Sequence, residues 1–145
     1  YVTHDQEEAM ALSDRVVVMQ RGRILQADTP EAVYRRPQSR DVAAFFGSPN
    51  LIDAPVSACR RGSDGDFVWP EDVQLTVPNA AVPNRYLTWQ GRVSDGIFRG
   101  ARRSLAITTS GPRFNVEYPA TGTVRIGDSV TLQVDGDKAW AIPRE

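Results

Sequence analysis

The apolar pattern of this chain changes period at Ser48-Pro49-Asn50. Before that tripeptide, apolar residues recur at helical spacing or gather in one β-branched run. After it they alternate in short segments cut by Gly, Pro, Asn and Asp, at 51–58, 67–69, 90–98, 104–109, 113–118 and 129–134. Alternation puts one side of each segment in a core and the other in water, which is how antiparallel strands are built. The change therefore predicts two units, 1–49 and 50–145, the second a small antiparallel β-barrel. The fold class expected is mainly β with short helices. Residues 61–66 read as a Gly/Ser/Asp turn between strands, and 78–84 as a Pro/Asn connector with little regular structure.

In the first unit, Thr3 with Gln6 three positions on has the capping-box spacing, and Asp5, Glu7 and Glu8 suit the positive end of a helix over 6–12. Ala9, Met10 and Leu12 give it an apolar face. Arg15-Val16-Val17-Val18-Met19 predicts a strand buried on both faces, Arg21-Gly22 a hairpin turn, and 23–26 the returning strand. Thr29-Pro30-Glu31 opens a helix over 30–36, and Ser39 caps another in which Val42, Phe45 and Phe46 share a side before Gly47 ends it.

Charge and composition narrow the function classes. Seventeen Lys and Arg stand against 18 Asp and Glu with a single His, so net charge supplies no field for nucleic acid or anionic lipid. The lone Cys59 has no internal disulfide partner, which fits a reducing compartment and a small packing role. Apolar runs such as 16–19 fall far short of the roughly 18 residues of a membrane span. Membrane attachment is expected only through a partner protein. Tyr1-Val2-Thr3-His4 lacks an initiator Met and reads as the end of a buried strand, so the chain is expected to be a fragment.

His4 sits at a strand-to-helix junction beside Asp5, where an imidazole can face bound phosphate or serve only the fold. Arg99, Arg102 and Arg103 flank Phe98 in a turn with Gly96 and Gly100; they read as a basic, aromatic site for an oxyanion or single-stranded nucleic acid, or as a solvated turn. Trp69, Trp89, Phe114, Tyr118 and Trp140 read as core aromatics. No residue set suggests a metal. No G-x-x-x-x-G-K followed by Ser or Thr occurs, so this chain alone is expected neither to bind ATP tightly nor to hydrolyse it.

The stretch from Tyr1-Val2-Thr3-His4-Asp5 through Val16-Val17-Val18-Met19 resembles the switch-histidine region of ABC transporter ATPases. Gly22-Arg23-Ile24-Leu25-Gln26, Thr29-Pro30-Glu31, Tyr34-Arg35-Arg36-Pro37 and Phe45-Phe46-Gly47 are similar to the segment that closes that ATPase domain. Beyond it, Pro49-Asn50, Pro70-Glu71-Asp72-Val73, Gly91-Arg92-Val93, Gly100 and Arg125-Ile126-Gly127-Asp128-Ser129-Val130-Thr131-Leu132 resemble TOBE, the OB-like accessory barrel of importer ATPases for polyamines, ferric iron, phosphonates and sugars. Trp69 stands where that family commonly has Arg.

The resemblance implies the C-terminal part of an importer's ATP-binding subunit, an α/β remnant over 1–49 and a regulatory or dimerising barrel over 50–145. It makes His4 a sensor of the ATP γ-phosphate in the intact subunit, where it helps position the attacking water. ATP and Mg2+ are expected there and no cofactor in this chain. Implied partners are a second copy of the subunit, as a homodimer, and transmembrane permease subunits, with no nucleic acid and no direct membrane insertion. The implied location is cytoplasmic, peripheral on the inner face of the bacterial inner membrane. Two other readings stay open, a small-ligand module giving feedback inhibition and an OB-type nucleic-acid binder. The transported solute is not legible.

Overall fold

A computed structural model describes residues 2–3, 5–52, 63–76 and 86–143. Cys59 and the 78–84 connector lie outside the described residues, as does the expected strand 51–58 beyond Ile52.

Helix α1 (Gln6–Leu12) is capped by Asp5, whose carboxylate accepts from the Glu8 amide at 3.0 Å. Thr3, expected as the cap, instead accepts from the Asp5 amide and donates to the Glu8 carboxylate. A charged acceptor one position before the helix suits its positive end better than a hydroxyl two residues further back. Strands β1 (Val16–Gln20) and β2 (Arg23–Asp28) pair through Arg21 and Gly22, both at positive φ (49° and 75°), the turn geometry that matches strand twist. Thr29 caps α2 (Pro30–Arg35) and Ser39 caps α3 (Arg40–Phe46) through the Ala32 and Val42 amides.

Val33 of α2 and Val42 of α3, both 0% exposed, cover Val16 and Val18. Only this face of the hairpin is covered. Val17 and Met19 point outward at 48% and 57% exposure, so the strand expected to be buried on both faces is buried on one. Phe45 is likewise 41% exposed and gives only its edge to Phe46, because the hairpin lies on the Val42 side of α3.

The barrel is a curled, OB-like half-barrel of antiparallel strands in the order β5-β9-β6-β7-β8: β5 (Val73–Thr76), β6 (Tyr86–Arg99), β7 (Arg102–Thr109), β8 (Phe114–Pro119) and β9 (Ser129–Asp135). β6 curls because its first half pairs with β9 and its second with β7, with a register shift between Val93 and Asp95. Gly127, at φ 96°, lets the preceding turn fold back so that its amide donates to the Val93 carbonyl. Phe114, Ile107, Leu132 and Val134 form the centre of the core, each fully buried. β9 is buried on both sides, and its polar side chains are satisfied: Thr131 donates to Gln90, and Gln133 to Thr76.

A second sheet, β10-β4-β3, closes the fold: β3 (Asn50–Ile52), β4 (Ser63–Val68) and β10 (Trp140–Pro143). Residues 63–66, expected as part of a turn, are strand, because β4 is paired on both sides and ladder bonds outweigh local turn preference. Trp89 packs on Phe114 inside the barrel as expected, whereas Trp140 sits outside it, against the helices.

Candidate functional site

His4 lies outside the described residues. Its neighbours Thr3 and Asp5 form the start of α1 described above.

Arg99, Arg102 and Arg103 do not converge. In the β6–β7 hairpin Arg99 is opposite Arg102, and Phe98 is opposite Arg103, so the first two share one face and Arg103 takes the other. The Arg99 Nε donates to Ser104 Oγ at 3.0 Å, and Ser104 in turn donates to Glu117. Arg103 donates to the carbonyls of Gly122 and Ala120 at 2.9 and 3.4 Å, closing one end of the half-barrel. Phe98 is 69% exposed beyond it.

Side chains converge instead at the seam between α2 and the β10-β4-β3 sheet. Alternate sides of α2 serve two cores: Val33 faces the β1–β2 hairpin and Tyr34 faces the sheet. Tyr34 stacks on Trp69 at 4.2 Å and 6°, and Phe67 meets Trp69 edge-on at 5.4 Å. Trp69 is 3% exposed, and its indole N–H donates to the Tyr34 carbonyl at 3.1 Å. The Trp140 indole N–H donates to the Pro37 carbonyl at 3.1 Å. Both indoles thus satisfy backbone carbonyls at the C-terminal end of α2 and just beyond it, which have no helical amide to bond.

Polar contacts rim this aromatic stack. The Tyr34 hydroxyl donates to Glu71 at 2.6 Å; burial, reinforced by that carboxylate, pushes its pKa well above the ordinary tyrosine value. Arg35 pairs with Asp72 at 2.8 Å and Lys138 with the same carboxylate at 3.5 Å. Asp72 lies in the 3-10 turn Pro70–Asp72, and Lys138 ends the 3-10 turn Gly136–Lys138, so one carboxylate joins α2 to two turns of the barrel. Buried Gln26 holds the chain behind α2, donating to the Arg36 carbonyl and accepting from the Gln38 amide.

Asn50, the first residue of β3, is 2% exposed. Its carboxamide donates to the Asn115 carbonyl at 2.8 Å and accepts from the Asn115 amide at 2.6 Å. Asn115 belongs to β8, an edge strand, so the side chain takes the place of a neighbouring strand.

Sequence reasoning assigned Trp69 to a core edge but missed Gln26, Tyr34, Asn50 and Asp72 as joining residues. The Pro49-Asn50 and Pro70-Glu71-Asp72 motifs were the available signal.

Two clefts flank the seam and the barrel. One of about 760 Å³ separates α2 from the Gly136–Lys138 turn; another of about 340 Å³, lined by Leu75, Tyr118, Val124 and Val130 among others, opens on the half-barrel. Among the described residues no group of three or more His, Cys, Asp or Glu is placed to hold a metal ion, and no helix is long and apolar enough to cross a membrane.

The sequence matches the family described as TOBE domain over residues 67–142, which reaches from the strand before Trp69 to β10. It is 39% identical over 127 residues to the sulfate/thiosulfate import ATP-binding protein CysA 2 of Chromobacterium violaceum, covering 76% of this chain and 34% of that protein. It is 33% identical over 136 residues to the spermidine/putrescine import ATP-binding protein PotA of Oleidesulfovibrio alaskensis, covering 77% of this chain and 36% of the relative. PotA of Borreliella afzelii aligns over the whole chain at 28% identity and over 45% of its own length. The chain thus spans less than half the length of these relatives.

Proposed function

The chain belongs to the TOBE domain family, and from that premise we propose that it is the C-terminal regulatory part of an ATP-binding subunit that powers solute import through an ABC transporter. Residues 1–49 close the ATPase domain, and 50–145 form the barrel that regulates or dimerises it. In the intact subunit His4 contacts the ATP γ-phosphate in the presence of Mg2+, and the subunit works as a homodimer beneath permease subunits on the cytoplasmic face of the membrane.

The observation that carries this reading is the seam. A regulatory domain acts on an ATPase only if the two are mechanically joined, because coupling needs differential contacts in the states being selected. Tyr34 on Trp69, Arg35 on Asp72 and Trp140 on the Pro37 carbonyl supply that join, between α2 with its following residues and the barrel. The nucleic-acid reading gains nothing from the geometry, because Arg103 is spent on carbonyls and faces away from Arg99 and Arg102. The relatives' names differ in solute, from spermidine/putrescine to sulfate/thiosulfate, so the likeness selects none.

The test is a full-length parent subunit carrying Tyr34→Ala and Trp69→Ala, assayed with its membrane partners. The reading expects ATP turnover to persist while its control by transport substrate or effector is lost. Unchanged control with the stack removed counts against it.

A further inference from the structure

In the sequence His4 stands one position before Asp5 and two before Gln6, the first residue of α1. His4 itself lies outside the described residues, but those that follow it are held at several points. The Asp5 amide donates to Thr3 Oγ1 at 3.0 Å, Thr3 donates to the Glu8 carboxylate at 3.1 Å, and the Glu8 amide donates to Asp5. These bonds shape the turn without saying where it stands against the rest of the fold. Gln6 supplies that: its side-chain amide donates to the carbonyl of Phe45, 39 positions away. We propose that Gln6 is a positioning residue for His4, tying the start of α1 to the C-terminal end of α3. The inference rests on the role proposed above for His4.

The tie matters because α1 is weakly held. It has seven residues, none of them buried, and helices that short do not persist by themselves. Met10, one turn further on, is partly buried against the hairpin core and anchors the middle of the helix. The bond from Gln6 anchors its first residue. The acceptor is suited to the task, since Phe45 lies in the last turn of α3, where carbonyls have no helical amide to bond.

The other end of the tie is the part of the first unit that touches the barrel-side aromatics. Phe46 packs against both the hairpin core and the cluster of Phe67, Trp69 and Ile142, and Tyr34 meets its ring edge-on at 6.1 Å. A Cβ on Gly47 would lie 3.6 Å from the Trp69 ring. Gln6 therefore fastens the residues after His4 to a helix end that is itself braced by Trp69. A group that orients attacking water works only when its own position is set, so loosening this tie should lower the rate of phosphoryl transfer without weakening nucleotide binding.

The experiment is steady-state ATP hydrolysis by the full-length parent subunit with its permease, comparing Gln6→Met and Gln6→Lys. Met and Lys resemble Gln in length and helix propensity, but only Lys keeps a donor for the Phe45 carbonyl. Gln6→Met is expected to lower kcat about tenfold with KM for ATP and the melting temperature unchanged, and Gln6→Lys to restore kcat to within about threefold of the parent. Parental kcat in Gln6→Met, an equal loss in both variants, or a loss confined to KM overturns the proposal. His4→Ala in the same assay separates the two readings. If it abolishes turnover while Gln6→Met is silent, only the role of Gln6 falls; if His4→Ala is silent, the reading of His4 falls with it.

Discussion

Asn50 and Asn115, 65 positions apart, exchange two hydrogen bonds in which a buried side chain completes the backbone of an edge strand. The contact fixes where the chain enters the barrel relative to β8. It also removes one unpaired segment of sheet edge, the kind of surface that otherwise recruits another strand.

Replacing Asn50 by Ala deletes both bonds and leaves the amide and carbonyl of Asn115, an exposed residue on an edge strand, without that partner. The expected loss is about 1–3 kcal/mol of unfolding free energy, measured by urea denaturation. Asn50→Asp should be worse at neutral pH than in mild acid, because its charged oxygen then faces the Asn115 carbonyl.

Tyr34 and Trp69 separate packing from hydrogen bonding at the seam. Trp69→Ala should cost about 3–5 kcal/mol, the range for a fully buried large aromatic. Tyr34→Phe keeps the stack, loses only the bond to Glu71 and should cost about 1 kcal/mol. Because the folded hydroxyl titrates above its unfolded value of about 10, its stabilisation is complete below that pH and declines as pH rises past it. Alkaline unfolding curves should therefore fall less steeply above about pH 10 in Tyr34→Phe than in the parent.

Glycines test the packing of the half-barrel. A Cβ on Gly122 would lie 2.0 Å from the Tyr118 ring, and one on Gly91 would lie 2.7 Å from Ile107 and 3.0 Å from the Thr108 carbonyl. Gly122→Ala and Gly91→Ala should each destabilise by about 1–3 kcal/mol, the first by displacing the Tyr118 ring and the second by pushing against Ile107 and the Thr108 backbone. At Gly111 the nearest such contact is 3.9 Å, so Gly111→Ala should leave the melting temperature nearly unchanged.

Local signals in the sequence were strong where a residue's own chemistry decides the outcome. Thr29-Pro30 and Ser39 open helices, Arg21-Gly22 turns a hairpin, and alternation marks β6 to β9 because each has a wet and a dry side or a core on both. Failures came where distant partners decide. Ser63 to Asp66 looks like a turn until β10 pairs with Ser63 and Asp66 and β3 with Asp66. Val17 and Met19 look buried because β-branched and apolar runs usually are, yet only one face of the hairpin meets a helix. The arginine turn read as one site because its residues are neighbours in sequence, while strand alternation sends Arg103 to the opposite face from Arg99 and Arg102. The seam was invisible for the converse reason: Tyr34 and Trp69 are 35 positions apart by the indole's hydrogen bond to that residue's carbonyl, and only folding stacks them.

The central claim, that this chain completes an import ATPase, is tested most directly by ATP turnover of the full-length parent subunit carrying His4→Ala, measured with its permease. The account predicts that turnover is lost while ATP binding and the fold persist, since the imidazole orients the reaction without building the nucleotide site. Turnover equal to that of the parent would contradict it.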